Sequence, residues 1–322
     1  MQYKVKESSD YRDLIIIGSG PAGYSAAIYA KRSGIDVVMI TGLEQGGQLM
    51  GTTNVDNYPG FTHILGPQLM ANMEEQTRAL EVEIINDYIN SVDLGNKIIK
   101  LNGNQALYSA KSIIIATGSG AKWLGAKGEA KYRGYGVSSC ATCDGFFFKN
   151  QVVAVVGGGN VAIEDALYLS NVAKKVYIIH RRNEFRGEKI LQNKLVKNYK
   201  IEIIWDHTVD EILGEENPLS VKEVRIKNVH SGITKNLQID GLFVAIGHTP
   251  NTSFLKGVVD LDEDQYIKTY NNTCQILVNG KVHPGVFAAG DVRDKIYRQA
   301  ITSAATGCQA ALDVQSYLGH NF

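Results

Sequence analysis

The 322 residues carry 33 Lys and Arg against 33 Asp and Glu, so a formal net charge of zero excludes broad electrostatic attraction to nucleic acid or an anionic membrane. Hydrophobic residues make up 44% of the chain, enough to build a core in each of about two domains of ordinary size. Residues 1–13 are polar and charged, and no run approaches the ~20 apolar residues of a membrane span, so the expectation is a cytoplasmic protein without a signal peptide.

Leu14-Ile15-Ile16-Ile17 is a short continuous apolar run, the pattern of a parallel strand buried on both faces. Gly18-Ser19-Gly20-Pro21-Ala22-Gly23 follows and opens an alanine-rich helical stretch from Tyr24 to Ser33. This is the G-x-G-x-x-G dinucleotide fingerprint in its required setting. The first glycine permits the tight turn, the second lets the backbone approach a pyrophosphate, and the third lets helix pack on strand. The next strand, Val37 to Ile40, ends in Thr41-Gly42 rather than in the acid that would hold an NAD ribose. Gly46-Gly47-Gln48 and Asn57 then supply loops with backbone N–H groups and amides. A helix is expected over Pro67 to Leu80. Strands are expected over Val82 to Ile85, Ile98 to Leu101, Ala106 to Tyr108, and in Ile113-Ile114-Ile115-Ala116-Thr117-Gly118, whose small end lets a ligand or chain approach.

Cys140-Ala141-Thr142-Cys143-Asp144 comes next. Two thiols at this spacing can close a redox disulfide, form half of a zinc site, or simply pack, and the acid beside them can hold or deliver a proton. Cys274 and Cys308 lie far away in ordinary apolar contexts and read as inert thiols. Val152 to Val156 repeats the buried strand, and Gly157-Gly158-Gly159-Asn160-Val161-Ala162 repeats the fingerprint ahead of a helix over Ile163 to Ser170. After the strand Val176 to Ile179 comes His180-Arg181-Arg182, then Arg186, where an NAD site would want a carboxylate. Guanidinium groups there favour the 2′-phosphate of NADP. Ile201 to Trp205 and Val221 to Gln238 alternate like antiparallel strands, and Phe243 to Gly247, including Ile246, reads as a closing strand before His248. Finally Gly285 to Ala289 forms a strand ending in Gly290-Asp291, with a helical pattern from Arg298 through Leu318. An aspartate there can accept hydrogen bonds from sugar hydroxyls. This last segment would complete the sheet that stops near Gly118, so the second unit reads as inserted into the first.

Taken together, these motifs resemble the low-molecular-weight, bacterial-type NADPH-dependent thioredoxin reductases, a family of flavoprotein disulfide reductases. The resemblance covers nearly the whole chain: GSGPAG, the Thr41-Gly42 and Gly46-Gly47-Gln48 loops, Ala116-Thr117-Gly118, CATCDG, GGGN, HRR with Phe185-Arg186, and AAGD followed by Tyr297-Arg298-Gln299-Ala300. It implies an α/β fold of two three-layer, Rossmann-like domains. An FAD domain at 1–119 and 249–322 would be interrupted by an NADPH domain at 120–248 that carries the redox disulfide. FAD would be bound by Gly18, Ser19, Gly20, Pro21, Ala22, Gly23, Thr41, Gly42, Gly46, Gly47, Gln48, Asn57, Ile89, Ala116, Thr117, Gly118, Gly290, Asp291, Arg298, Gln299 and Ala300. NADPH would be bound by Gly157, Gly159, Asn160, Val161, His180, Arg181, Arg182, Arg186 and Ile246. Cys143 would face the flavin, Cys140 would attack the disulfide of thioredoxin, and Asp144 would be the acid-base group. The resemblance also implies a homodimer, an inserted domain that rotates, and no bound metal. A thiol oxidase or a reductase of another disulfide partner would use the same parts. Val161 stands where the family usually has Ser or Thr, and Tyr135 where some members have arginine.

Overall fold

The computed structural model describes residues 6–7, 11–52, 54–95 and 98–321. It separates into two compact units, Met1–Gly120 with Thr249–Phe322, and Ala121–His248, so the chain of the second interrupts that of the first.

In the first unit the strands run in the order Gln275–Val278, Lys281–Ala288, Ala106–Ile115, Arg12–Ile17, Val37–Ile40, Glu83–Ile85. All these neighbours are parallel except the first pair. The continuous apolar runs are explained by burial on both faces. Leu14 and Ile16 join one core with the helices Pro21–Arg32 and Ala300–Asn321, while Ile15 and Ile17 join another with the meander Ile89–Leu94 and Ile99–Gly103. The last strand pairs Val286 with Ile113 and Phe287 with Ile114, completing the sheet as the sequence predicts. Gly307 lets the C-terminal helix lie close against the fingerprint helix, since a Cβ there would fall 2.1 Å from the Ala22 carbonyl oxygen.

In the second unit the parallel order is Val137–Ser138, Gly241–Val244, Val152–Val156, Lys175–Ile179, Ile201–Ile204. Val153 and Val155 pack toward the helix Asn160–Ser170. Ala154 and Val156 pack toward an antiparallel sheet of His207–Glu216, Leu219–Asn228 and Thr234–Gln238.

Two sequence expectations are corrected. Ala106 to Tyr108 and Ile113 onward are one strand, Ala106–Ile115, whose first half pairs with the meander and whose second half enters the parallel sheet. Ile201–Ile204 is parallel rather than antiparallel, because the helix Lys189–Val196 returns the chain to the edge beside Lys175–Ile179. Among the described residues no helix is long and apolar enough to cross a membrane.

Candidate functional site

The first glycine turn is dictated by space. A Cβ on Gly18, which has φ +113°, would lie 2.3 Å from the Ala116 carbonyl oxygen, and one on Gly23 would lie 2.0 Å from that of Gly18. Around Gly20 there is open room. The helix Pro21–Arg32 begins there with no side-chain cap and no acid in its first turn. Its first N–H groups are therefore left for an anion, which fits the pyrophosphate of a dinucleotide. Ser19 is buried, and its hydroxyl donates to the Thr41 carbonyl at 3.1 Å while accepting from the Gly46 N–H at 3.1 Å. Thr41 Oγ1 turns to the Gly42 carbonyl, and Gly42, Gly46 and Gly47 all hold positive φ.

Residues far apart in sequence meet around this turn. Gln48 Nε2 donates to the Ser119 carbonyl, and Asn57 Nδ2 donates to Gln299 Oε1 at 3.3 Å. Thr117 Oγ1 donates to the Asn251 carbonyl at 2.8 Å, Asn251 Nδ2 donates to that of Thr117 at 2.8 Å, and Gly118 follows with φ +69°. Gly290, φ +75°, could not bear a Cβ without approaching Ala22 Cβ to 2.9 Å, so the Gly-Asp end abuts the fingerprint helix. Asp291 accepts from Ser303 Oγ at 2.8 Å. Burial pushes its carboxyl up to about 6 against the lowering effect of Ser303; Asp294 adds to the rise and Arg298 opposes it. Arg298 adopts φ +49°, and Ala300 opens the C-terminal helix. Ile89 is packed in the core with Ile17 and Ile40. Sequence reading missed Ser303 and Thr306, which holds the Gly290 N–H at 2.8 Å; their signal was two hydroxyls three positions apart on an alanine-rich helix.

The second unit repeats the turn. A Cβ on Gly157 would lie 2.4 Å from the Ala245 carbonyl oxygen, Gly159 is open, and the helix Asn160–Ser170 again starts without a side-chain cap or an early acid. Arg181, Arg182 and Arg186 are exposed, and Ile246 is partly exposed beyond the closing strand. The side chains of His180 and Asn160 both bond within the protein. The His180 ring is buried, with Nε2 3.0 Å from the Glu184 carbonyl oxygen, and Asn160 Oδ1 accepts from the Glu188 N–H at 2.8 Å. Val161 is half-buried and offers no hydroxyl.

Cys140 and Cys143 form a disulfide, S–S 2.02 Å, with Cα atoms 5.3 Å apart. The bonded pair begins the short helix Ala141–Asp144, where the Cys140 sulfur accepts from the Cys143 N–H at 3.2 Å and lies 3.4 Å from Thr142 Oγ1. Ser138 Oγ accepts from the Cys140 N–H at 3.0 Å. Burial raises the Asp144 carboxyl above its ordinary range, with Ser138 opposing. Of the following aromatics, Phe148 packs on Phe243, whereas Phe146 and Phe147 are 68% and 43% exposed. Cys274 is buried and its thiol is pushed up to about 11 by burial, as suits an inert thiol. Among the described residues no group of three or more His, Cys, Asp or Glu could hold a metal ion.

Residues 12–307 match the family of pyridine nucleotide-disulphide oxidoreductases. Thioredoxin reductase of Rickettsia typhi is 54% identical over 307 residues, covering 95% of this chain and 97% of the relative. That of Escherichia coli O157:H7 is 50% identical over 320 residues, 97% of each. The crystal structure of thioredoxin reductase from Streptococcus pyogenes superimposes with a TM-score of 0.90 at 40% identity, covering 96% of this chain and 99% of that one. With two glycine turns, a C-x-x-C disulfide and these likenesses over nearly its full length, the chain belongs to the pyridine nucleotide-disulphide oxidoreductase family and, within it, to the thioredoxin reductases.

Proposed function

We propose that the protein passes two electrons from NADPH through FAD and the Cys140–Cys143 disulfide to oxidised thioredoxin. The observation that carries this is the disulfide itself, closed beside a half-buried acid in a chain with two anion-ready glycine turns. The first turn, with Asp291, Arg298 and Gln299, would hold FAD. The second, with Arg181, Arg182 and Arg186, would hold NADPH. FAD when bound supplies the conversion of a two-electron hydride donor into a reductant of sulfur.

The remaining work falls to this chain. Breaking the S–S bond leaves two thiolates that take up two protons, one of them from Asp144, whose burial keeps its proton to higher pH than an exposed carboxyl would. Cys140 is the better nucleophile toward an external disulfide, because the Cys143 N–H pointing at its sulfur stabilises the thiolate. Its attack forms a mixed disulfide and expels one thiol of thioredoxin; Cys143 then attacks Cys140 and releases the second, restoring the original bond. The exposed Phe146 and Phe147 beside the pair offer an apolar contact for that protein substrate. The homodimer and the cytoplasmic setting belong to the same reading, and light scattering and cell fractionation test them.

The cysteines give the test. Cys143→Ser is expected to stop turnover and trap thioredoxin on Cys140 as a stable mixed disulfide. Cys140→Ser should stop turnover with no trapped adduct, while NADPH still bleaches the flavin absorbance. Full thioredoxin reduction by either variant would overturn the assignment. Reduction of glutathione disulfide or oxygen in place of thioredoxin by the native protein would move it to another member of the family.

A further inference from the structure

We propose that His180 is a positioning residue that locks the arginine-bearing loop onto the second glycine turn, and that residue 158 is glycine in order to admit its ring. The inference rests on the second turn being the site of a dinucleotide with a 2′-phosphate. The fingerprint itself asks for glycine at 157 and 159 and leaves 158 open. Gly158 is not in the left-handed region, so its backbone does not require glycine either. Space does. A Cβ at 158 would fall 2.1 Å from His180 Cε1, 2.4 Å from Nδ1 and 2.5 Å from Nε2. The ring occupies the space that a side chain at 158 would take, stacked on Phe185 with centroids 5.5 Å apart and edge-on to Trp205 at 6.1 Å.

The loop that follows is tied to the same turn at two backbone N–H groups. The Arg186 N–H donates to the Gly158 carbonyl at 2.8 Å, and the Glu188 N–H donates to Asn160 Oδ1 at 2.8 Å. Gln192 Nε2 donates to the Gly187 carbonyl at 2.7 Å. At Gly187 a Cβ would come within 2.5 Å of Ile163 Cδ1 and 2.9 Å of Asn160 Oδ1, so the loop is drawn against the helix start. His180 closes the loop across its base, its Nε2 placed to donate to the Glu184 carbonyl at 3.0 Å. Burial holds this imidazole below the ordinary histidine range; the Glu184 contact opposes that, and the charges of Arg182, Arg186 and Arg181 add to it. A neutral ring suits a spacer with one donor. It does not suit a cationic phosphate ligand. The exposed arginines then read the 2′-phosphate at a fixed distance from the turn that receives the pyrophosphate, so discrimination for NADPH is built into the apoprotein.

The test is calorimetric titration of the FAD-loaded protein with 2′,5′-ADP and with 5′-AMP, whose affinity ratio measures recognition of the 2′-phosphate alone. Native protein is expected to favour 2′,5′-ADP, and Arg181→Ala with Arg182→Ala to remove the preference. His180→Ala should lower the ratio about tenfold, the loss of roughly one charge-assisted contact, with 5′-AMP affinity nearly unchanged. His180→Gln, which keeps a donor for Glu184, should recover part of it. Gly158→Ala should lower the ratio as His180→Ala does, and the double variant should be no worse than the poorer single one, because the clash and the ring vanish together. Where Gly158→Ala melts too early to titrate, the His180 pair decides. An unchanged ratio in His180→Ala overturns the proposal. So does native 2′,5′-ADP affinity that rises through the histidine range as pH falls and loses that rise in His180→Ala, since the imidazole would then be a direct ligand. Native protein with no preference for 2′,5′-ADP removes the site reading itself, and this inference with it.

Discussion

The two glycine turns solve one problem by opposite means. Thr41 and His180 each stand 23 positions after the first glycine of their turn (41 − 18 and 180 − 157), at the end of the second strand. In the first unit the strand end is small, and the residue between the first two glycines, Ser19, reaches out with a hydroxyl that bridges the Thr41 carbonyl and the Gly46 N–H. In the second unit the strand end carries a ring that itself reaches inward, and the residue between the glycines, Gly158, gives up its side chain to receive it. A fingerprint therefore fixes where the backbone may approach a ligand. What joins it to the next strand is free to vary, so long as the gap is filled once.

The largest effect should come from what the turns share. Gly18→Ala and Gly157→Ala each drive a Cβ to within 2.4 Å of a backbone oxygen, at Ala116 and Ala245 respectively, and neither oxygen can swing aside. Each substitution is expected to cost about 3 kcal/mol or more, read as lost melting cooperativity of its own unit. Gly20→Ala and Gly159→Ala, where a Cβ meets nothing, should melt near the native temperature. Equal damage from all four would break the comparison.

Next in size is an asymmetry in charge. The first site holds the half-buried Asp291, whose carboxyl desolvation raises to about 6 from 3.8. The folded apoprotein then keeps a proton that the unfolded chain has already lost between those values, so stability falls as pH rises from about 4 to 6 and stays lower above. The drop should be on the order of 2–3 kcal/mol. Asp291→Asn is expected to flatten that part of the apoprotein's urea-melt profile and to weaken FAD retention at every pH. A pH dependence that survives the substitution would assign the titration elsewhere.

The smallest effect sharpens the contrast between the turns. Ser19→Ala removes both bonds of the first staple and leaves the Gly46 N–H without that acceptor, at a cost of roughly 1–2 kcal/mol by denaturant melt. Thermal stability unchanged by the loss of this hydroxyl would show that the first turn needs no staple.

Much of this was legible in the sequence. The apolar runs at Leu14–Ile17 and Val152–Val156 announce strands buried on both faces, and the cores on either side of each sheet take alternate residues of them. The C-x-x-C pair is bonded, and the return of Lys281–Ala288 to the first sheet follows from the unfinished pattern at Gly118. What could not be read was how polar side chains at the site are spent. Asn160 and His180 are residue types that bind nucleotides, and their side chains also hold the loop, through partners 28 and 4 positions on (188 − 160 and 184 − 180) that no local pattern announces. Gly158 and Gly307 are glycines for reasons of space, and the ring or carbonyl that claims the space is 22 or 285 positions away (180 − 158 and 307 − 22). The direction of Ile201–Ile204 is not legible because a strand of four residues, Ile-Glu-Ile-Ile, carries no mark of its neighbour's direction.

The interrupted chain also sets an order of manufacture. All strands of the second unit lie between Val137 and Val244, so its sheet can close soon after the ribosome has passed residue 248. The first unit began earlier and finishes later. Ile113 and Ile114 await Val286 and Phe287, and Ala22 awaits the helix that brings Gly307. During that interval the nascent amino-terminal segment displays apolar strand and helix faces with no cover, while the segment bearing Cys140 and Cys143 is already shaped. Premature termination between 249 and 285 should accordingly release a chain with one finished domain and one sticky half, the kind of product that chaperones and proteases select.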